Sequence, residues 1–186
     1  MTALSTSTIP LALLPADCVV IGTAKGPRGP VLAPGAAAVA KAFDGTLDEL
    51  FNALGATGAE GEAVRLPAPA GIQAGLVLAV GLGDAANNNE EYDVEALRRA
   101  AGVAARALAG AGTIALALPT GTAEAVEAVA LGGLLGTYAF TAYRTTDHAA
   151  PPVRELTICV NRDDRTDAEG AVRRAAVLGQ EVNRAR

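Results

Sequence analysis

The chain has 186 residues, of which 51% are hydrophobic and 19% are charged, and its formal net charge is −5 at pH 7. This composition predicts one globular domain with a sizeable core and excludes a disordered chain, which would carry less apolar mass and more net charge. Nucleic-acid binding is not expected, because phosphate contact needs concentrated positive charge and the basic residues near the C-terminus are interleaved with acids.

The N-terminal segment, residues 1–8, lacks the basic region of a signal peptide. The apolar run Ile9–Leu14 is interrupted by Pro10 and is far too short to span a bilayer. We therefore expect a cytoplasmic, soluble protein without a membrane contact.

Strand-like and helix-like segments alternate along the chain. The predicted strands are short apolar runs: Cys18–Ile21, Ala63–Leu66, Leu76–Val80, Thr113–Leu118 and Leu156–Val160. The predicted helices are Gly35–Phe43, Thr46–Leu54, a segment capped by Asp93 and stopped by Gly110, a long segment capped by Thr122, and a final helix from near Thr166. Continuous apolar strands separated by such helices predict an α/β sandwich with a largely buried sheet.

Three of the six aromatic residues, Tyr138, Phe140 and Tyr143, fall within six positions of one another. They are predicted to close the Ala/Gly-rich helix that begins at Thr122. In a chain with so few aromatic residues, this cluster is expected to supply large side chains to a core or an interface.

Glycines inside the same predicted helix, Gly132, Gly133 and Gly136, need an explanation. Each costs a helix about 1 kcal/mol relative to alanine. Close approach of the helix to the sheet or to another helix is the simplest compensation.

Few side chains could carry chemistry. His148 is the only histidine, so a histidine pair for a typical zinc site is not available, and its polar loop favours a solvent-exposed side chain. Serine occurs only at Ser5 and Ser7, outside any nucleophile motif, which excludes a serine hydrolase. Cys18 and Cys159 each lie in an apolar run, and we expect two buried, reduced thiols.

Two glycine-containing loops could present backbone N–H groups to a phosphate. Gly81–Gly83 follows a predicted strand, but a third glycine at the dinucleotide-binding spacing is missing. The loop Gly22–Pro30 carries Lys25 and Arg28 and is the better anion candidate, although its glycines and prolines are more typical of an ordinary connection.

The segment Thr166–Gly170 reads Thr-Asp-Ala-Glu-Gly. A capping box explains it locally, because Thr166 would cap the final helix and Glu169 stands three residues on. The same letters occur in a metal-binding segment of the leucyl aminopeptidase (cytosol aminopeptidase) family, but here Arg165 replaces an Asn of the family and the two residues after the motif also differ. A two-metal site needs several further carboxylates, which nothing in this chain supplies. We therefore prefer the capping box and assign no catalytic, cofactor-binding or metal-binding residue.

The chain nevertheless resembles the non-catalytic N-terminal domain of that family in four segments: Val80–Asp84, Tyr92–Gly102, Gly132–Arg144 and Gly179–Arg186. Their order and spacing fit from about Asp17 onward. Family members often carry Arg before the Phe and a basic residue before the second Tyr, where this chain has Ala139 and Ala142.

The resemblance implies a macrodomain-like, three-layer α/β/α sandwich with a mixed, mostly buried sheet. It implies that residues 1–186 are a single N-terminal domain, truncated just before a C-terminal metallopeptidase domain. The final helix, which lacks a closing Gly, Asn or Pro, fits such a truncation. The parent would remove N-terminal residues, leucine among them, from peptides.

The same resemblance implies two divalent metals, zinc or manganese, in the missing domain and a homohexameric parent. The 186-residue chain alone would be inactive and would support assembly or substrate access. Two alternatives stay open. One is a macrodomain-like module that binds a nucleotide or ADP-ribose through both glycine loops, and the other is a pure assembly domain that oligomerises through the Tyr138–Tyr143 segment.

Overall fold

A computed structural model describes residues 2–85, 91–138 and 150–185 of the chain. Within these ranges the β-strands are β1 Ala3–Ser7, β2 Cys18–Ala24, β3 Val31–Leu32, β4 Ala63–Pro67, β5 Leu76–Gly81, β6 Thr113–Ala117 and β7 Glu155–Cys159. The α-helices are α1 Ala37–Ala42, α2 Leu47–Ala53, α3 Val94–Ala107, α4 Ala123–Gly136 and α5 Arg165–Arg184. A short 3-10 helix spans Leu11–Leu13.

The strands form one mixed sheet in the order β1-β7-β6-β2-β5-β4, with β3 paired beside the end of β2. The strands β1, β7, β6, β2 and β5 are parallel, whereas β4 is antiparallel to β5 and β3 is antiparallel to β2. Strand β2 is buried along its whole length because it has a paired strand on each side and helices on both faces. Its buried β-branched residues are the reason why the sequence pattern locates it.

Helices cover both faces of the sheet. On one face, Val20 and Leu78 pack in a core with Leu97 of α3 and with residues of α4 and α5. On the other face, Val19 and its neighbours pack with Phe51 of α2, with α1 and with the 3-10 helix. The prediction of a three-layer α/β/α sandwich with a mixed, mostly buried sheet is therefore confirmed.

The glycines of α4 allow the close approach that the sequence predicts. A Cβ atom added at Gly132 would overlap the carbonyl oxygen of Arg98 in α3, and one added at Gly136 would stand 2.5 Å from the carbonyl oxygen of Gly102. A Cβ at Gly133 would stand 2.9 Å from a methyl carbon of Leu156 in β7. Helix α4 thus approaches both α3 and the sheet at distances that only glycine permits.

Two predicted N-caps are confirmed. The carboxylate of Asp93 accepts a hydrogen bond from the Ala96 N–H at 3.2 Å, at the start of α3. The hydroxyl of Thr122 accepts one from the Ala125 N–H at 3.2 Å, at the start of α4. Each cap satisfies one of the N–H groups that a helix leaves without an internal partner.

The predicted capping box at the final helix is wrong. Helix α5 begins at Arg165, so Thr166 already lies inside it, and the N-cap is Asp164. A turn precedes the helix, in which the Asp164 N–H donates to the Asn161 carbonyl at 3.2 Å. Because of this turn, α5 begins earlier in the chain than the capping box predicts. The Glu169 carboxylate accepts a hydrogen bond from Arg165 at 2.8 Å instead of reaching the main chain.

Tyr138 of the aromatic cluster is not part of α4. The helix ends at Gly136, and the Thr137 hydroxyl donates to the Leu134 carbonyl at 2.8 Å just beyond it. Tyr138 follows this end rather than lying on the helix. The predictions for Phe140, Tyr143 and His148 fall outside the described residues.

Candidate functional site

The carboxyl ends of the parallel strands are the edge at which open α/β sheets usually bind ligands. Several crevices lie at this edge among the described residues, and two of them are larger than the crevice between Tyr92 and Pro119. The first, of about 580 Å³, adjoins the ends of β2 and β5 and includes Lys25 and Gly83 in its lining. The second, of about 480 Å³, lies at the ends of β1, β6 and β7 and includes Thr120 and Arg162.

The two predicted phosphate loops meet at the first crevice, but the amides of Gly81–Gly83 and of Lys25 donate to the protein itself. All three N–H groups of Gly81–Gly83 donate to main-chain carbonyl oxygens, those of Glu62, Thr23 and Gly58, at 2.9, 2.7 and 3.0 Å. The Lys25 N–H donates to the Gly83 carbonyl at 2.7 Å. These four amides are therefore not available to an incoming phosphate, which would need them as donors.

Two glycines beside the first crevice, Gly81 and Gly58, serve close packing. A Cβ atom at Gly81 would overlap the Ala59 carbonyl, and one at Gly58, where φ is +76°, would overlap the carbonyl group of Ala24. The loop that contains Gly58 is held by the Glu62 carboxylate, which accepts hydrogen bonds from the Thr57 N–H at 2.9 Å and the Gly58 N–H at 2.7 Å. The sequence gives no signal for this role of Glu62, apart from Gly58 and Gly61, which precede it.

The charges around the first crevice are mostly negative. Among the described residues, its lining contains one lysine, Lys25, and four carboxylates, those of Glu60, Asp84, Glu91 and Asp93. The ammonium of Lys25 is 3.2 Å from the Asp84 carboxylate, so its charge is largely compensated. An anionic ligand would meet net repulsion here.

An ion-pair network lies beside the same crevice. Arg99 is 2.6 Å from the Glu60 carboxylate and 2.8 Å from that of Glu95, and Arg98 is 2.6 Å from Glu95. The hydrogen bond from Arg98 lowers the pKa of Glu95 to about 2, and the hydrogen bond from Arg99 makes a smaller contribution in the same direction. The network ties α3 to the loop before β4.

The two cysteines differ in their surroundings. Cys18 is buried, as predicted, whereas Cys159 is only half-buried and lines the second crevice, so the prediction of two buried thiols is wrong for Cys159. Burial raises the pKa of both thiols to about 12. Each is therefore protonated at neutral pH and is a poor nucleophile.

The acidic residues of the Thr166–Gly170 segment do not fit a two-metal centre. Asp167 is exposed on α5, and the Glu169 carboxylate pairs with Arg165. Within residues 2–85, 91–138 and 150–185, no group of three or more His, Cys, Asp or Glu side chains is close enough together to hold a metal ion. The described part of the chain also lacks a helix that is long and apolar enough to cross a bilayer.

Residues 20–147 match the family model described as the N-terminal domain of the cytosol aminopeptidase family. The chain belongs to the cytosol aminopeptidase family. A probable cytosol aminopeptidase of Streptomyces griseus subsp. griseus is 48% identical over the whole chain, and one of Micrococcus luteus is 42% identical over 91% of it. The chain spans only 39% and 33% of these two relatives.

Solved structures of similar proteins agree with the described fold. A tomato leucine aminopeptidase mutant matches 97% of the chain with a TM-score of 0.70 at 19% identity, which bears on the fold alone, and the chain covers 36% of it. The bottromycin maturation enzyme BotP in complex with Mn matches 83% of the chain with a TM-score of 0.54 at 28% identity, and the chain covers 29% of it. The resemblance seen in the sequence is thereby confirmed at the level of the cytosol aminopeptidase family.

Proposed function

We propose that this chain is the non-catalytic N-terminal domain of a dimetal leucyl aminopeptidase, which removes N-terminal amino acids, leucine among them, from peptides. The observation that carries the proposal is the match of residues 20–147 to the N-terminal domain of the cytosol aminopeptidase family. It is supported by the length of the relatives, since the chain spans only 39% of the one from Streptomyces griseus.

In this proposal residues 1–186 form one domain, and a C-terminal metallopeptidase domain follows it. That second domain would hold two divalent ions, zinc or manganese, and would carry the whole of the hydrolysis. The manganese in the BotP complex supports a divalent metal in the parent. The exposed position of Asp167 and the pairing of Glu169 with Arg165 support a structural role for the Thr166–Gly170 segment.

The domain itself would contribute to assembly or to substrate access in a cytoplasmic homohexamer. Its own core on each face of the sheet supports this role, because a domain that folds around its own core can flank a catalytic domain as a rigid unit. The names of the relatives, cytosol aminopeptidases, support the cytoplasmic location.

The sequence beyond Arg186 gives a direct test. We expect the coding frame to continue and to encode Asp and Lys residues in metal-binding motifs of the family. A frame that stops at Arg186, or one that continues without such motifs, would contradict the proposal.

A calorimetric titration with ADP-ribose separates the proposal from the nucleotide-binding alternative. We expect no saturable heat, because the amides of Gly81–Gly83 already have main-chain acceptors and the first crevice is acidic. Saturable heat with one ligand per chain would favour the alternative.

A further inference from the structure

The second crevice lies where the chain leaves two neighbouring parallel strands, β2 and β6, toward opposite faces of the sheet. After β2 the chain continues through β3 to α1 and α2, which pack on one face. After β6 it enters α4, which packs on the other face. The space between two such connections is the position at which open α/β sheets bind ligands.

The two connections are closely packed in the lining of this crevice. Gly35, in the connection that leads from β2 to α1, has a φ of +99°. A Cβ atom added to it would stand 2.6 Å from the carbonyl oxygen of Ala117, the last residue of β6. The volume of the crevice, about 480 Å³, is within the range of small-molecule sites, roughly 300–1,000 Å³. The crevice therefore combines a closely packed wall with room for a small ligand.

The charge of the second crevice is opposite to that of the first. Among the described residues, Arg162 is the only charged one in its lining, and the adjacent Asp163 and Asp164 are not part of that lining. Arg162 is exposed and forms no ion pair with another described residue. The Cys159 thiol in the same lining is neutral, because burial raises its pKa to about 12. A carboxylate would meet a guanidinium without a salt-bridge partner, with which it can form two parallel hydrogen bonds.

Apolar residues make up much of the remaining lining. Ile9 lines the crevice and is 50% exposed. Prolines from three different connections, Pro10, Pro34 and Pro119, line it as well. Because the described lining residues include no carboxylate, the ammonium of a free amino acid would find no counter-charge there. The ligand that fits these walls carries a carboxylate and an apolar side chain, but no ammonium beside them.

We propose that the second crevice binds the C-terminal end of a peptide whose last residue is apolar, with its carboxylate on Arg162 and its side chain against Ile9. In such a peptide the last residue has an amide in place of the ammonium. The single guanidinium matches the charge of one carboxylate, whereas the pyrophosphate of a nucleotide would bring more negative charge than it compensates. This binding site would be present whether or not the parent is a peptidase.

The test is a titration of the isotope-labelled 186-residue chain with N-acetylleucine, followed by NMR. We expect saturable shifts of the amide signals of Gly35, Gly121 and Arg162, with a dissociation constant on the order of millimolar for so small a ligand. N-acetylleucinamide, which lacks the charge, should bind about tenfold more weakly. N-acetylglycine, which lacks the apolar side chain, should also bind about tenfold more weakly. Equal affinities for all three would overturn the proposal.

Two variants and a matched control assign the binding to this crevice. Arg162→Gln should weaken the binding of N-acetylleucine by about tenfold, and its exposed position makes unfolding unexpected. Ile9→Ser should weaken it several-fold, because the apolar contact is lost. Arg28→Gln removes the same charge from an exposed arginine outside the lining and should leave the dissociation constant unchanged. Equal losses in Arg162→Gln and Arg28→Gln would show unspecific attraction of charge and would overturn the proposal.

The remaining outcomes separate this binding site from the proposed function. If N-acetylleucine caused no saturable shifts, or if free leucine bound as tightly, the proposed binding site would be wrong and the peptidase function would stand. If ADP-ribose shifted the same signals at lower concentrations than N-acetylleucine, the crevice would be a nucleotide site. That result would overturn the proposal and would also favour the nucleotide-binding alternative over the proposed function.

Discussion

Gly132 in α4 lies directly against the carbonyl oxygen of Arg98 in α3, with no space for a side chain between them. The contact joins two of the three helices that cover one face of the sheet. A Cβ atom added at Gly132 would meet the main chain of Arg98 rather than the end of a flexible side chain. The main chain of α3 cannot shift without a large cost in free energy. Packing therefore requires glycine at this position, although alanine has the higher helix propensity.

Gly132→Ala should destabilise the domain. Alanine gains about 1 kcal/mol in helix propensity, but overpacking costs about 1–3 kcal/mol and sometimes more. Because the new Cβ would overlap a carbonyl group, we expect a net loss of about 2 kcal/mol in the free energy of unfolding, measured by urea denaturation.

Gly170→Ala in α5 is the matched control for that substitution. Its added Cβ would find only the guanidinium of Arg174, at 3.7 Å, so alanine should stabilise the domain by about 0.5–1 kcal/mol. If both substitutions changed stability in the same direction, close helix packing would not be the reason for Gly132.

The two N-cap threonines of the sequence analysis should behave differently. Thr122→Ala should cost about 1 kcal/mol in the free energy of unfolding, because the Ala125 N–H loses its side-chain acceptor. Thr166→Ala should be nearly neutral, since Thr166 lies inside α5 and caps nothing. If both variants lost the same free energy of unfolding in thermal or urea denaturation, Thr166 would cap α5 after all and the capping box would be correct.

Glycines of similar backbone conformation test the role of the loops at the first crevice. Gly58 and Gly61 have φ values of +76° and +82°, but a Cβ would overlap Ala24 only at Gly58 and would have open space at Gly61. Gly61→Ala should cost about 1–2 kcal/mol for the left-handed backbone alone. Gly58→Ala should cost clearly more in the same urea experiment, and a loss no larger than that of Gly61→Ala would argue against the packing role.

Asp17 should make stability depend on pH. Its carboxylate accepts hydrogen bonds from the Gly112 and Thr113 N–H groups at 2.7 and 2.8 Å, and these bonds, first that of Thr113, lower its pKa below the ordinary 3.8. The charged form is thus the stabilising one. Its contribution is present above the unfolded pKa of about 3.8 and is lost as the pH falls through the lower folded value.

Asp17→Asn tests this dependence through unfolding curves at several pH values. At neutral pH the variant should be less stable by less than about 1 kcal/mol, because the group is exposed and screened by solvent. The difference should shrink as the pH falls below about 4. Asp163→Asn, at an exposed aspartate in the loop before α5, removes the same charge without those hydrogen bonds. A difference from wild type that grew towards acid pH would contradict the account.

The sequence located the elements whose signals are local. The buried run at β2 and the Asp93 cap of α3 appear in the structure where the patterns place them. Strand β1 was not predicted, because Ala3–Ser7 is rich in Ser and Thr and is only half-buried at the edge of the sheet. Its partner is β7, about 150 positions away along the chain, and such pairing leaves no local signal.

The candidate site was less predictable for a related reason. Glycine spacing suggests loops that could bind phosphate, and only the fold shows that the amides of Gly81–Gly83 donate to β2 and to the loop before β4. The capping box failed for a local reason instead, since the turn from Asn161 to Asp164 sets the start of α5. Sequence motifs gave the family correctly, while the roles of the loop amides depended on contacts between distant segments.

We propose that this chain is part of a peptidase but performs none of its chemistry. The most direct measurement is hydrolysis of a leucine chromogenic amide with added manganese, by the 186-residue chain and by the product of the full coding frame. We expect turnover by the longer form and none by the 186-residue chain. Turnover by the 186-residue chain that stays proportional to protein through successive purification steps would contradict the account.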